Sequence, residues 1–430
     1  MANSKFDVAA YHTEHLMPMI DAQITIFQNA DDISAMFDGI VNRGAATQGA
    51  LPPRTQNTDG YGIGDGDEQN YNERRWSAKL DLEINNPIVI SATDLKLYAI
   101  EDRMKQLAMS QASTICSKVE SELAKAASFG GFRYFGRSQA DNETFTIDDL
   151  RKAMTVARNY AGAAPLYCYL PDATSTLVAN TGYQQFLTKR NDETAQTNEL
   201  QDINGVVNAR FFQTQHYKQH EAGTAARKEL TISAIENTQY TYKDKPYTGT
   251  RITVTGADEN DTVKANDVLS VTTRKSYFIR DDLSISSNIV QGTILSDAVA
   301  TADSLTFDVN VDWLTSSQTN GNFTNTSIVS EPIQVGDKIL IEGDHVAGFV
   351  FIKEGLKRAS VSMGEPDPFK PDSHSYYEDK GVQGLNIRCW SGMDIRSANR
   401  AIVQDGLAGV AAVSPYVMRL VLPINSINLY

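Results

Sequence analysis

Two histidines four residues apart, His216 and His220, with Glu221 beside the second, are the first place to look for chemistry. On a helix that spacing sets two imidazoles on one face, where a divalent metal can be held. No third ligand is visible at a matching distance, so the pair is read as surface histidines in a polar helix or linker. His12 and His15 make the same case more weakly. Cys168 would serve as a nucleophile only if a nearby histidine or helix N-terminus stabilised its thiolate, and its flanks, Leu166, Tyr167, Tyr169 and Leu170, describe a buried strand instead. Gly60, Gly62, Gly64 and Gly66 form a glycine-rich run, but no strand-to-helix context surrounds it and Asp59, Asp65, Asp67 and Glu68 would repel phosphate, so it is a loop tip. Neither that acidic run nor Asp258 to Asp261 fits a calcium loop, since Val263 stands where the motif requires glycine. The sequence has no Gly-x-Ser-x-Gly elbow, no Gly-x4-Gly-Lys-Ser/Thr loop, no His-Glu-x-x-His and no Cys-x-x-Cys. No catalytic, cofactor-binding or metal-ligating residue is therefore assigned.

The background composition narrows the classes further. The chain has 430 residues, which suggests about three structural units at roughly 150 residues each. Hydrophobic residues make up 41% and charged residues 21%, the proportions of a folded globular protein. Mean hydropathy is -0.34, and the greasiest segment, Leu407 to Val413, stops at Ser414-Pro415, short of the ~20 apolar residues a bilayer span needs. No membrane partner is expected. The N-terminal stretch carries a single Lys5 and lacks the basic and hydrophobic regions of a signal peptide, so cytoplasmic synthesis is expected. Lys plus Arg number 39 against 53 Asp plus Glu, a formal charge of -14 that disfavours a protein whose main task is gripping nucleic acid. Cys116, Cys168 and Cys389 are scattered and odd in number, as buried thiols of a reducing compartment would be.

These residues are carried by recognisable elements. Phe6 to Val41 reads as mixed helix and extended arm interrupted by Pro18, an extension rather than a domain. Arg43 to Asn70, with Pro52-Pro53 and many Gly, Asn and Asp, reads as a long exposed loop. Trp76, Ala78, Leu80, Leu82 and Ile84 then alternate with polar residues as in a half-buried strand, which extends the loop as a ribbon. From Ser91 to Ser128, Leu97, Ile100, Met104, Leu107, Ile115, Val119 and Leu123 share one helical face, with Ser91 and Asp94 as start signal and Gly130-Gly131 as stop. Such a helix is roughly 50 Å long, the length of a strut. A second helix starts at Thr146, with Asp149 three residues on, and ends by Pro165; the strand Leu166 to Leu170 and a helix around Ala173 to Lys189 follow in α/β order. Leu230 to Lys338 changes texture to an all-β unit, with strands from Leu230, Arg251, Val268, Ser304 and Lys338. In the fourth, Leu305, Phe307, Val309, Val311 and Trp313 point one way. A small barrel or sandwich inserted into the α/β unit is expected, with the earlier pattern resuming at Gly348 to Ile352 and strands continuing from Leu385 to Leu422.

This order of elements resembles the major capsid protein of tailed bacteriophages, the Hong Kong-type phage fold, and within it the short-tailed-phage coat proteins with an insertion domain. The resemblance covers nearly the whole chain. Met1 to Val41 is similar to the N-terminal arm, Arg43 to Asn86 to the extended loop, and Ser91 to Ser128 to the spine helix of the peripheral domain. Asp148 to Val178 is similar to the opening of the axial domain and Asn204 to Asn208 to the strand after it. Gly348 to Met363 and Gly384 to Ile395 are the most family-like stretches; Val335 to Gly343 is similar to a Gly-Asp strand of the insertion domain and lies near that domain's end here. The resemblance implies an α+β capsid fold with these boundaries: arm 1–42, extended loop 43–90, peripheral domain 91–140, axial domain 141–222, inserted β-barrel-like domain 223–345, and return 346–430. It also implies a non-catalytic subunit assembling with itself as hexamers and pentamers into an icosahedral head. The further partners it implies are a scaffolding protein, a portal, a decoration protein and packaged double-stranded DNA held weakly. The place it implies is the virion, after synthesis in the host cytoplasm.

Three other readings compete. An encapsulin-like compartment shell has the same fold, and the large β insertion favours the phage. A hydrolase with an appended carbohydrate-binding β-domain would explain the acidity and Tyr240, Tyr242 and Tyr247, but no pair of catalytic carboxylates can be identified. A tail or adhesion protein would suit the β-rich half, not the long helix, and a fibre should show repeats that are absent.

Overall fold

In the computed structural model, residues 8–38, 42–51, 75–90, 100–136, 145–162, 164–172, 174, 209–277, 285–314, 329, 331–364, 375–394 and 399–424 are described. The helices are α1 (Val8–Gln23), α2 (Thr25–Asn29), α3 (Ile100–Phe129) and α4 (Ile147–Ala161). The first strands are β1 (Asp31–Asp32), β2 (Ala46–Ala50), β3 (Arg75–Lys79), β4 (Leu82–Ile90), β5 (Arg133–Gly136), β6 (Leu166–Pro171), β7 (Ala209–Thr214) and β8 (Lys218–His220). There follow β9 (Glu229–Tyr242), β10 (Lys245–Thr255), β11 (Thr262–Val263), β12 (Val268–Tyr277), β13 (Ile285–Thr293), β14 (Ala298–Val299), β15 (Ser304–Val309) and β16 (Lys338–Ile341). The last are β17 (His345–Ile352), β18 (Leu356–Val361), β19 (Ser375–Lys380), β20 (Asn386–Asp394), β21 (Asn399–Ala412) and β22 (Val417–Leu422). Contacts divide the chain into two units: Met1–Thr47, Ala78–Ala124 and Lys357–Ala411 form the first, and Gln48–Ser77, Lys125–Leu356 and Ala412–Tyr430 the second.

In the first unit α3 follows its apolar spacing: Ile115, Val119 and Leu123 are at most 1% exposed and Leu107 packs partly buried. Each such burial contributes about 1.5–3 kcal/mol, which holds the helix far more firmly than its intrinsic propensity. The expected start signals at Ser91 and Asp94 lie outside the described residues. The sheet runs β1-β18-β21-β20-β19, with β4 also on β21. One expectation changes. Pro18 lies inside α1 without breaking it. Both Pro18 and Glu14, whose carbonyl loses its donor, are exposed on the face that meets solvent, while Leu16 and Ile20 are buried on the opposite face. Leu16, Ile20, Ile26, Phe27 and Phe37 of this segment are at most 1% exposed, in the core of the unit.

The loop expected from Arg43 is shortened by β2, which pairs with β3. Gly49 permits this: a Cβ there would lie 2.3 Å from the Trp76 indole, so only glycine lets the ring lie against the strand. Residues 52–74, including Gly60 to Gly66, lie outside the described residues. Trp76, Ala78, Leu80, Leu82 and Ile84 are all buried, as their alternation predicts.

The second unit contains a mixed sheet in the order β5-β22-β17-β6-β7, with β8 also on β17. Its aromatics form a ladder across β7, β6 and β17, with Tyr169 stacked 4.8 Å from Phe212 and 5.1 Å from Phe349. Helix α4 starts at the expected place, Thr146 and Asp149 closing a capping box, and ends at Gly162 with φ +62°. The helix expected around Ala173 to Lys189 and the strand at Asn204 to Asn208 lie outside the described residues.

Between β8 and β17, which pair through His220 and His345, the chain forms a six-stranded sheet in the order β13-β12-β16-β9-β10-β15. Every pairing in it is antiparallel. Its two edges meet, with Ile294 bridged to Val309, and Asn310 N–H donates to the Thr293 carbonyl at 3.0 Å. A barrel results, with no free edge along that seam. Strand β13 supplies the closing edge and was not read from the sequence. β15 stops at Val309 rather than continuing to Trp313, because Asn310 turns aside to bond β13 and Thr250 Oγ1 takes over, donating to the Val311 carbonyl at 2.8 Å. Val311 and Trp313 still point inward, 3% and 0% exposed.

Candidate functional site

The structure separates the residues whose spacing suggested chemistry. His216 precedes β8 and His220 ends it, so the pair is not helical and is not a surface pair. His220 is buried and donates through Nε2 to Asp267 Oδ1 at 2.7 Å. No cluster of three metal-ligating side chains occurs among the described residues. The carboxylates of Asp258 and Asp261 receive the Lys228 ammonium at 2.6 and 2.5 Å, so they are paired with a cation of the chain itself. All three cysteines are buried. Burial pushes the Cys168 thiol far above its ordinary range and that of Cys116 up to about 12, which keeps both protonated. His12 is buried against α3, donating through Nε2 to Gln111 Oε1 at 2.6 Å, and burial lowers its pKa; His15 bonds the Tyr11 carbonyl of its own helix.

The three tyrosines, by contrast, are brought together. β9 and β10 form a hairpin whose turn residues Lys243 and Asp244 have φ of +50° and +61°, the primed turn that matches strand twist. This sets Tyr240 directly opposite Tyr247, with ring centroids 5.7 Å apart, and Tyr242 edge-on to Tyr247 at 6.2 Å. The hydroxyls of Tyr247 and Tyr240 are committed. Tyr247 donates to Ser77 Oγ at 2.8 Å, Ser77 donates to the Tyr242 carbonyl at 3.1 Å, and Tyr240 donates to the Asn310 carbonyl at 3.1 Å. Ser77 belongs to β3, so the hairpin holds the base of the ribbon. A cavity of about 440 Å³ remains, lined among others by Trp76, Phe132, the three tyrosines and Ser414.

Sequence reasoning missed the buried polar groups. In the second unit Arg419, 1% exposed, donates through Nε to the Ser128 carbonyl at 2.6 Å and through Nη1 to the Asn266 carbonyl at 2.7 Å. It thus ties the C-terminal end of α3 to the barrel, where a cation suits the helix dipole. Burial lowers its pKa to about 9. His345 donates through Nδ1 to the Gly343 carbonyl at 2.8 Å, while its Nε2 is buried with no partner among the described residues. Burial, then the charge of Arg419, lowers its pKa to about 3. In the first unit Glu120 of α3 accepts the backbone N–H groups of Ile26 and Phe27 at 2.9 and 3.0 Å, capping α2. Burial raises its pKa to about 7 in spite of these bonds. At the other end of α2, Arg358 Nε donates to the Ala30 carbonyl and its guanidinium lies 4.1 Å from the centre of the Phe27 ring. The available signal was a charged residue in an apolar run, Arg419 within Val417 to Leu422 and His345 ahead of Val346 to Ile352. Glu120 carried none.

No protein-family model matches the chain, and no curated protein matches it in sequence. Among solved structures it is similar to one from Mycobacterium phage Che8, at 10% identity over 93% of this chain and 91% of that one, with a TM-score of 0.40. An acidic stable capsid structure of Helicobacter pylori bacteriophage KHP30 matches at 10% identity over 93% and 90%, with a TM-score of 0.41. The head structure of Helicobacter pylori bacteriophage KHP40 matches at 10% identity over 91% and 86%, with a TM-score of 0.39.

Proposed function

We propose that this chain is the major capsid protein of a tailed bacteriophage, a structural subunit that assembles with itself into the icosahedral head around double-stranded DNA. The observation that carries the reading is the order of its elements. A two-stranded ribbon, a 30-residue helix and a mixed sheet follow one another, and a closed barrel is spliced between β8 and β17, strands that pair within that sheet. This is the order that the sequence resemblance implies, and the family-like stretch Gly348 to Met363 supplies the second half of β17 and all of β18, both buried along their whole length.

Under this proposal residues 43–90 are the extended loop, 91–140 the peripheral domain with its spine helix, 141–222 and 346–430 the axial and peripheral remainder, and 223–345 the insertion domain. Residues 1–42 are the N-terminal arm, of which the described part, 8–38, packs within its own subunit. Function then resides in broad contacts among copies, since a shell subunit needs polymerising surfaces and a strut rather than a cleft. The charge of -14 keeps unassembled copies soluble and limits adhesion to the DNA inside. A scaffolding protein, a portal and a decoration protein are the partners of such a subunit, and the virion is its place.

The test is negative-stain electron microscopy with sedimentation of the protein expressed alone and with its genomic neighbours. Closed shells of uniform size are expected, and DNA rather than an enzyme cargo inside them distinguishes a phage head from an encapsulin. A monodisperse monomer or small oligomer under every assembly condition overturns the reading.

A further inference from the structure

We propose that the two straps joining the barrel to the mixed sheet, residues 220–223 and 342–345, form an acid-sensitive latch: a proton taken up by His345 releases β8 from β17 and lets the barrel pivot while its own core stays folded. This device goes beyond the capsid reading and does not depend on it. One buried cluster spans both straps. His220 and His345 face each other where β8 meets β17. His220 donates to Asp267 Oδ1 at the foot of the barrel, and the same carboxylate accepts the Gly223 and Lys264 N–H groups at 3.3 and 2.8 Å. Asp344 accepts the Ala222 N–H at 2.7 Å, which ties one strap to the other. Arg419 of β22 reaches the Asn266 carbonyl beside Asp267. Strand β8 has three residues and, among the described strands, pairs with β17 only, so it can lift away without unzipping the sheet.

The closed cluster has no place for a further proton. Neutral His345 donates through Nδ1 to the Gly343 carbonyl, and its buried Nε2 has no partner among the described residues. A proton added at Nε2 meets no acceptor and lies near the Arg419 guanidinium. The surrounding carboxylates are engaged: Asp267 by His220 and two N–H groups, Asp344 by Ala222, and Glu342 by the Tyr134 hydroxyl of β5 at 3.2 Å. Glu221 is paired with Lys264 at 3.5 Å, Lys218 of β8 is a further cation, and α3 presents the uncharged ring of Phe129, 6.0 Å from that of His220. The barrel's other attachment does not titrate. Gln291 of β13 accepts the Tyr134 N–H at 3.1 Å and donates to the Tyr134 carbonyl at 2.7 Å, Thr293 donates to the Gly131 carbonyl, and Asn288 donates to the Tyr160 hydroxyl at 3.0 Å. Acid leaves this side intact as the pivot. The barrel core, with Trp313 fully buried and the seam closed at Ile294 and Val309, includes neither histidine of the latch.

The test is hydrogen exchange read by mass spectrometry on the full, unassembled chain at about pH 7.5 and about pH 5, with labelling times scaled for the intrinsic exchange rate, so its outcome is independent of whether shells form. Opening the latch restores to His345 an ordinary affinity for protons. A folded value of about 3 against 6.5 therefore raises the opening constant about thirtyfold at about pH 5 and leaves it almost unchanged at about pH 7.5. Peptides covering 218–223 and 342–346 are expected to lose protection by that factor, while β9, β10 and β15 keep theirs. In His345→Asn, which keeps a donor for the Gly343 carbonyl and cannot titrate, the straps are expected to be equally protected at both pH values. The wild-type comparison decides the matter even if the variant fails to fold. Straps that stay protected at about pH 5, barrel strands that lose protection in step with them, or a pH response that His345→Asn retains overturns the proposal.

Discussion

Replacing His345 with asparagine should make the second unit less sensitive to acid. The side chain is fully buried, donates to the Gly343 carbonyl, and lies near Arg419 and His220, with ring centroids of the two histidines 5.1 Å apart. Asp267, bonded to His220, is a counter-charge to Arg419 in this cluster. The pKa is about 3 in the folded chain against 6.5 for an ordinary histidine. Protons therefore bind the unfolded state preferentially, and the stability present above 6.5 is lost as pH falls towards 3. At about pH 5 the unfolded histidine is almost fully protonated and the folded one is not, so the loss relative to about pH 8 amounts to about 2 kcal/mol. That figure barely changes if the folded value is a unit higher, because pH 5 still lies above it. His345→Asn keeps a donor for Gly343 and cannot titrate. Urea unfolding followed by the fluorescence of buried Trp313, in the same unit, should show a variant that is weaker than the wild type at about pH 8 and recovers about 2 kcal/mol relative to it at about pH 5. Parallel loss of stability in the two proteins would refute the reasoning.

Glu120 should show the opposite sign. Its folded pKa is raised to about 7 from 4.5, so the folded state holds the proton more tightly, and stability present at acid pH is lost as pH rises through 7. Glu120→Gln should therefore compare worst with the wild type near pH 5 and improve relative to it at pH 8, measured by hydrogen exchange of the Ile26 and Phe27 amides; a pH-independent difference would refute this. Gly49→Ala should cost about 1–3 kcal/mol, because the added Cβ drives the Trp76 indole from its seat; an unshifted Trp76 emission with unchanged stability would show that the ring does not lie there.

Elements whose signal is local were legible in the sequence. Thr146 and Asp149 announce the start of α4 because a capping box is made by residues three apart, and the face of Ile115, Val119 and Leu123 announces α3 because helical period alone places them together. The alternation from Trp76 to Ile84 and the inward set of Leu305, Phe307 and Val309 were legible for the same reason. Pro18 misled because its cost depends on which face of the helix meets water, which is settled by packing around it. His216 and His220 misled because a spacing of four has meaning only on a helix, and the pairing of β8 with β17 made the segment a strand.

The sequence by itself determined the character of this protein: acidic, folded, without a recognisable catalytic motif, built on a strut helix, with a β-rich insert and a resemblance to phage capsid subunits. Composition and short-range periodicity hold that information, because both are properties of neighbours along the chain. Tertiary structure alone decided that the barrel closes, since Ile294 and Val309 lie beside opposite ends of the strand order and meet only when the sheet curls. It also decided that Arg419 and His345 are buried beside each other, and that Tyr240 and Tyr247 share a cavity with Ser414. Burial and proximity across long loops depend on the whole set of packed contacts, and no local pattern records them.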